Sequence, residues 1–287
     1  MASTEELSYA YLDSHPNEAA RVLERLAPQD CAAFLNATPL RLAVPVLRRM
    51  LALNAARCLE RLDTSAAAGL LQGIGPQAGA AVLRHLPEPR RAPLIAQLAT
   101  PTAVALRLLL SYSADTVGGW MDPHVLAVPA DLPVSAVLDR VKQSEPELVG
   151  DIYVLDQDQR LRGVVDVADL LRIDGRDPVT RISGAAPPTL PARSPLGAVR
   201  EHAGWTDHRV LPVVERGERF VGVLAYAVLI RVLTRDAQAH APPSPGTFGG
   251  IVGSYWRGVS GVIEAAIEML PVAPPQASSV PAHDDQR

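Results

Sequence analysis

Short apolar runs at helical spacing recur from residue 16 to about residue 113. The segment AARVLERL (residues 19–26) returns as AARCLERL (residues 55–62), with weaker echoes at 80–86 and 106–110. Helix-start signals lie between the runs, at Thr38-Pro39, Asp63-Thr64, Gly75-Pro76 and Thr100-Pro101. Helices of two or three turns are marginal alone. The pattern therefore predicts a superhelical stack of short helices that bury Leu and Ala stripes against their neighbours.

Beyond residue 125 the apolar pattern changes to short strands, and it does so twice. DIYVLD (151–156) and LRGVV (161–165) precede one helical stretch, and RVLPVVE (209–215) and FVGVLA (220–225) precede another. Each copy has an apolar strand, a polar turn, a second strand with glycine at its middle, and a helix. Such an internal duplication predicts two modules packed face to face.

A further strand and helix lead into each copy. In the first copy they are residues 125–128 and 134–143, and in the second they are residues 187–190 and 195–203. Between the helical array and the first module, Trp120 and Met121 are expected to pack as an anchor beside two glycines.

The chain is therefore expected to divide into six parts, with a fold class of α followed by α/β. The parts are the short-helix array (1–115), the first module (118–176), the second module (177–236), a Pro/Gly linker (237–250), an amphipathic helix (251–270) and a disordered tail (271–287).

Composition narrows the function classes. The chain has 287 residues, 48% of them hydrophobic, which suffices for two or three domains. A net charge of −4 argues against a nucleic-acid binder, which would carry a basic stripe. Lys142 is the only lysine, and we attribute the preference for arginine to genomic base composition. Cys31 and Cys58 lie on apolar helices without metal-site spacing, which predicts buried thiols in a reducing, cytoplasmic compartment.

The sequence predicts neither a membrane span nor an enzyme. The most apolar candidate span, residues 251–270, is interrupted by Arg257, Glu264 and Glu268. Its aromatic residues leave peripheral contact with a membrane surface open. No nucleophile elbow, P-loop or paired-carboxylate pattern occurs along the chain.

The order of these parts resembles the cytosolic region of the MgtE family of magnesium channels. The duplicated unit resembles a pair of cystathionine-β-synthase (CBS) modules, also called a Bateman domain. The junction LSYSADTVGGWM (110–121) is similar to the family's sequence directly before its first CBS module. The resemblance covers about three quarters of the chain and ends near residue 236. Family members continue there into a pore, and we expect this chain to lack one.

The resemblance implies an adenine-nucleotide site in the first module. CBS modules that bind ATP, ADP or AMP carry the pattern G-h-h-[S/T]-x-x-D, in which h is apolar. Gly163 and Asp169 keep its ends, whereas Asp166 replaces the hydroxyl that would contact phosphate. A carboxylate there repels phosphate, so an adenosine-type ligand is preferred over a triphosphate. The alternative is that Asp169 only caps or solvates a helix start. In the second module both polar positions are lost.

The resemblance also implies Mg²⁺ sensing by facing carboxylates. Asp207 matches an acidic position of the family, but few other acids accompany it. The alternative interpretation is that Asp207 is merely a turn residue.

Two hypotheses for the function follow. The first is a soluble, pore-less regulatory protein linked to magnesium transport, which senses an adenine nucleotide or Mg²⁺ and forms a homodimer through its CBS modules. The second is a protein-interaction scaffold and dimeriser without a ligand, whose helical array binds a protein partner.

Overall fold

The computed structural model describes residues 4–144 and 150–239. Helix α1 (Thr4–Ser14) belongs to one compact unit, and Pro16–Ser244 form another that holds the array and both modules. The predicted amphipathic helix (251–270) and tail (271–287) lie outside the described residues, as does the predicted linker beyond residue 239.

The array of the second unit consists of short helices in which each packs on the next but one along the chain. The helices are α2 (Pro16–Leu23), α3 (Pro28–Ala37), α4 (Leu40–Arg49), α5 (Ala52–Arg61), α6 (Thr64–Ile74), α7 (Pro76–Leu83), α8 (Glu88–Ala96) and α9 (Thr100–Leu110). Thus α2 contacts α4, α3 contacts α5, and the alternation continues to α7 with α9. This stack of short helices confirms the predicted architecture.

The repeated Ala-Ala-x-x-Leu segments form the buried faces of the helices. Ala19, Ala20 and Leu23 are buried on α2, and Ala55, Ala56 and Leu59 are buried at the same spacing on α5. Alanine pairs keep neighbouring helix backbones close, and the leucines fill the space between them. The sequence repeat is therefore a packing repeat.

Arginine side chains close the carboxyl ends of helices elsewhere in the stack. Arg48 Nε donates to the carbonyl of Ile74 at 3.1 Å, and Arg84 Nη2 donates to that of Leu109 at 3.0 Å. Arg90 Nη2 donates to the carbonyls of Leu59, at 3.3 Å, and Leu62. The last carbonyls of a helix lack intrahelical partners and carry partial negative charge, so a guanidinium satisfies both needs.

Two of the four predicted helix starts lie where the sequence placed them. Asp63 Oδ1 accepts the backbone N–H of Ala66 at 2.8 Å at the start of α6, and Gly75 precedes α7. At the other two the cap residue differs. Thr38 instead donates back to the carbonyl of Phe34 at 2.8 Å and ends α3. Thr100 is already helical, and its preceding residue Ala99 donates its N–H to Gln72 Oε1 at 3.2 Å.

The two modules share one topology. The first contains strand β1 (Ala127–Pro129), helix α10 (Val134–Gln143), strands β2 (Ile152–Leu155) and β3 (Leu161–Val165) and helix α11 (Val167–Leu170). The second begins with the short strand β4 (Gly184–Ala185). It then contains strands β5 (Leu190–Pro191), β6 (Val210–Val214) and β7 (Phe220–Ala225) and helix α12 (Tyr226–Ala239). In each module a parallel pair (β1 with β2, β5 with β6) adjoins an antiparallel hairpin (β2 with β3, β6 with β7).

The helix predicted for residues 195–203 is wrong. Two 3₁₀ turns, Leu196–Val199 and Ala203–Thr206, replace it. Gly197 and Gly204 weaken a helix at these positions. The imidazole Nδ1 of His202 accepts the N–H of Gly204 at 3.1 Å, which starts the second turn separately.

Each sheet is extended by the segment that leads into the other module. Strand β4, near the start of the second module, pairs with β3 of the first. Asp122, near the start of the first module, exchanges hydrogen bonds of 2.6 and 2.9 Å with Val223 of β7 in the second. The two modules therefore hold each other through their backbones.

The mid-strand glycines permit this exchange. A Cβ atom on Gly163 would lie 2.3 Å from the carbonyl oxygen of Gly184, and one on Gly222 would lie 2.5 Å from that of Asp122. No side chain fits at either contact, because the carbonyl belongs to the paired strand rather than to a movable side chain. The glycine in the middle of the second strand of each copy is therefore the position at which the backbone of the other module's segment comes closest.

We predict that Gly163→Ala lowers the free energy of unfolding by about 1–3 kcal/mol, the usual cost of overpacking. Gly197→Ala is the matched control, because nothing lies within 4 Å of a Cβ atom added there, and it should change stability by less than about 0.5 kcal/mol. Urea unfolding followed by circular dichroism measures both. Equal stability of the two variants would contradict the role assigned to the close approach.

Candidate functional site

Asp166 and Asp169 lie at the end of β3, on the short helix that follows it. Asp166 is the N-cap residue of α11, where its Oδ1 accepts the N–H of Ala168 at 2.7 Å. Asp169 lies in the first turn, with its carboxylate half-exposed and 3.4 Å from Arg172 Nη1. The cap is therefore Asp166, and Asp169 keeps a carboxylate that solvent or a ligand can reach.

Gly163 is buried in β3, where it lies opposite Ala185 and against the carbonyl oxygen of Gly184. The pairing of strands explains why this position is glycine, without reference to a ligand. Its contact with a nucleotide stays a prediction.

Asp166 limits which anions this end of the module accepts. The N–H of Ala168 already has a carboxylate oxygen as its partner. A phosphate would have to displace that carboxylate and bear the repulsion of its charge and that of Asp169. The arrangement suits a neutral group with hydroxyls, such as ribose, better than a phosphate, because carboxylate oxygens accept hydrogen bonds.

In the second module the corresponding positions, Ala225 and Val228, are apolar. Tyr226 lies between them, with its ring 5.2 Å from that of Trp205 and 39% of its surface exposed. The two modules share a fold but differ in chemistry at this end of the sheet.

Asp207 follows the second 3₁₀ turn of the second module and is exposed. Within residues 4–144 and 150–239, no group of three or more His, Cys, Asp or Glu side chains is arranged to hold a metal ion. Mg²⁺ binding at Asp207 therefore stays a prediction.

A junction between the array and the second module was not predicted from the sequence. Tyr112, just after α9, donates its phenol hydroxyl to Glu215 Oε1 at 2.5 Å. The guanidinium of Arg193 lies over its ring, 5.7 Å from the centroid. Burial, followed by the hydrogen bond to Glu215, raises the pKa of the Tyr112 phenol, and Arg193 and Arg219 partly offset that rise. Glu215 follows β6, 103 positions further along the chain, so no local pattern indicated this contact.

Backbone and side-chain hydrogen bonds extend the junction. Residues 117 and 118 donate their N–H groups to the carbonyls of Ser194 and Ala192, at 2.9 and 2.7 Å. From the array, Gln77 Nε2 donates to the carbonyl of Trp120 at 3.1 Å, and Arg84 Nη2 donates to that of Gly119 at 3.2 Å. Of the two residues predicted to pack as an anchor, Met121 is fully buried and Trp120 is only partly buried. The segment between the array and the first module is thus fastened on both sides.

Family models match two consecutive parts of the chain. Residues 14–115 match the MgtE intracellular N domain, and residues 117–175 match the CBS domain. Both agree with the resemblance inferred from the sequence, which they confirm. No helix among the described residues is long and apolar enough to cross a membrane.

Two curated relatives are magnesium transporters named MgtE. The protein of Thermus thermophilus is 30% identical over 138 residues, which are 47% of this chain and 31% of that protein. The protein of Bacillus subtilis is 20% identical over 234 residues, which are 81% of this chain and 49% of that protein. The chain therefore spans half or less of the length of the relatives it matches.

Two solved structures cover most of the array and the modules. The cytosolic domain of the Mg²⁺ channel MgtE in complex with ATP is 25% identical, with a TM-score of 0.53 over 80% of this chain and 100% of that one. The soluble part of a magnesium transporter is 19% identical, with a TM-score of 0.55 over 82% and 100%, and shows the fold alone.

We predict that Tyr112→Phe lowers the free energy of unfolding at neutral pH by about 1–2 kcal/mol, because a hydrogen bond to a carboxylate is lost. The pKa of this phenol is raised on folding. Its stabilisation is therefore present below about pH 10, the ordinary tyrosine value, and lost as the pH rises further. Between pH 7 and pH 10.5, the free energy of unfolding should therefore fall less in the variant than in the wild type. Urea titrations at pH 7 and pH 10.5 test both statements.

Tyr226→Phe is the control, because its exposed ring packs on Trp205. It should leave stability within about 0.5 kcal/mol of the wild type. Equal losses for the two variants would contradict the proposed role of the Tyr112 hydroxyl.

Proposed function

Because the chain joins an MgtE intracellular N domain to a pair of CBS modules, we propose that it is a regulatory, ligand-responsive part of magnesium transport. The observation that carries this proposal is the coverage of the whole solved cytosolic domain of an Mg²⁺ channel, a protein that was crystallised with ATP. On this proposal the CBS pair binds an adenine nucleotide or nucleoside, and the array changes its angle to the modules in response. We propose no catalytic activity.

Asp169 is the residue proposed to hold the ligand. Its half-exposed carboxylate offers two acceptor oxygens to the two ribose hydroxyls. Asp166 occupies the phosphate side with negative charge, so we propose the order adenosine or AMP before ADP and ATP at this site. The closeness of Arg172, 3.4 Å away, does not prevent binding, because such an exposed pair is worth less than about 1 kcal/mol.

The same proposal places the protein in the cytoplasm as a homodimer formed through its CBS modules. Such a dimer would contain two Asp169 sites and two helical arrays. Analytical ultracentrifugation distinguishes this state from a monomer.

A second candidate function is a scaffold whose CBS pair only dimerises and whose array binds a protein partner. The observation that favours it is the apolar character of Ala225 and Val228, where a nucleotide-binding module would have polar groups. On this proposal no nucleotide changes the stability of the protein.

Ligand binding should raise the thermal midpoint of unfolding. At a concentration a hundredfold above the dissociation constant, a ligand stabilises by about 2.7 kcal/mol. We expect adenosine or AMP to produce such a shift in the wild type and not in Asp169→Asn. Differential scanning fluorimetry with adenosine, AMP, ADP and ATP measures it.

Asp139→Asn is the matched control, because Asp139 also forms an exposed pair at 3.4 Å with a cation three residues along, Lys142. It should retain the full shift. A shift that persists in Asp169→Asn would rule out the site, and the absence of any shift in the wild type would favour the scaffold.

Magnesium sensing through Asp207 is tested separately. We expect millimolar MgCl₂ to raise the thermal midpoint of the wild type and to have less effect on Asp207→Asn. NaCl at the same ionic strength controls for general screening. An equal response of wild type and variant would identify Asp207 as a turn residue without a metal.

A further inference from the structure

The two cysteines of the chain meet inside the helical array. Cys31 lies near the start of α3 and Cys58 lies in the second half of α5, and these two helices pack on each other. Both thiols are free, and the two residues are buried, with exposed fractions of 0% and 3%. The 287 residues contain no other cysteine, yet the fold brings these two side chains into hydrogen-bonding contact.

Packing does not require a cysteine at position 58. In the repeated segment, Cys58 stands where the first copy has Val22, and both copies bury the same alanines and leucine. Beside the thiols, the buried Ala32 on α3 and Ala55 on α5 allow the two helix backbones to approach closely. A disulfide needs such an approach, because the α-carbons that it joins lie about 4.4–6.8 Å apart.

The contact makes the two thiols chemically unequal. The hydrogen bond from Cys31 lowers the pKa of Cys58, although burial and the charge of Glu24 oppose that shift. The same hydrogen bond raises the pKa of Cys31, together with burial and the charges of Cys58 and Glu24. Cys58 is therefore the thiol that deprotonates first, and the thiolate is the form that reacts with oxidants. Cys31 keeps its proton and lies beside it as the second thiol.

We propose that Cys31 and Cys58 form a redox-sensitive pair, which a peroxide converts into a disulfide between α3 and α5. The Cys58 thiolate attacks one oxygen of hydrogen peroxide, the O–O bond breaks, hydroxide leaves, and Cys58 becomes a sulfenic acid. The sulfur of Cys31 then attacks the sulfenic sulfur, so that the S–S bond forms, the S–O bond breaks, and water leaves with the Cys31 proton.

The sequence of steps balances. Two thiols and one hydrogen peroxide give one disulfide and two waters, because the hydroxide takes up the proton that Cys58 lost. The two sulfurs together lose two electrons, and the peroxide oxygens gain them. A small-molecule dithiol reverses the reaction by exchange.

The position of the pair suits a reversible bond. Hydrogen peroxide is small and uncharged, and Cys31 lies near a helix end, where local opening costs less free energy than in the middle of a helix. Disulfides in cytoplasmic proteins are usually transient and respond to the redox state. The bond would tie α3 to α5 and constrain the unfolded chain, so oxidation should stabilise the array. The CBS modules contribute no residue to the pair, which is therefore independent of the ligands proposed for them.

Counting free thiols on the full chain tests the pair. The folded wild type is treated with hydrogen peroxide, the excess is removed with catalase, and the protein is labelled with N-ethylmaleimide in urea. Intact mass spectrometry should find two labels before peroxide, none after it, and two again after dithiothreitol. The thermal midpoint should rise on oxidation by about 4 °C or more, the effect of a typical disulfide in a chain of this size, and should return with dithiothreitol.

Cys58→Val is the matched control, because valine stands at the same place in the first copy of the repeat. This variant should fold, keep one label before and after peroxide, and show no rise of its thermal midpoint on oxidation. Two labels on the peroxide-treated wild type, a sulfonate on either cysteine in place of the disulfide, or a disulfide between two chains on a non-reducing gel would each overturn the proposal. An equal rise of the thermal midpoint in Cys58→Val would do the same.

Discussion

The structure depends on the exchange of backbone segments between the modules. Each sheet is extended by the segment at the start of the other module, and the two glycines, Gly163 and Gly222, leave room for a carbonyl oxygen at each contact. Backbone pairing of this kind tolerates no change of register, because a slip by one residue would place a side chain against that oxygen. Each sheet thus takes part of its backbone pairing from the other module.

This exchange also fixes the array. The segment from Asp115 to Asp122 ends the array and pairs with the second module through Leu196, Ser194 and Val223. The array is thus attached to the module that is further away in sequence. The Tyr112 hydroxyl reinforces the same attachment through Glu215. A change in the relative position of the modules would therefore reach the array through its last helix and the segment that follows it.

Local sequence patterns predicted much of this fold, because the burial of apolar residues at helical spacing determines where the short helices form and which faces they bury. The Ala-Ala-x-x-Leu repeat predicted the stack, and residues 134–143 form a helix with the predicted bounds. The failures occur where other forces prevail. Gly197 and the His202 cap interrupt the helix expected at 195–203. The exchange of segments was not predictable from either copy alone. Pairing between distant backbones leaves no pattern in the sequence except the glycine in the middle of β3 and of β7.

The candidate sites show the same limit, because a motif gives the identity of a residue and not its surroundings. Asp166 and Asp169 carry the same functional group three residues apart, yet one accepts the backbone N–H of Ala168 at the start of a helix and the other does not act as a cap. Arg160 and Arg219 belong to turns without any motif, and only the meeting of the two modules places them opposite each other. The contact between Tyr112 and Glu215 likewise joins residues 103 positions apart. Contacts between distant positions of this kind, rather than a local motif, join the array to the second module.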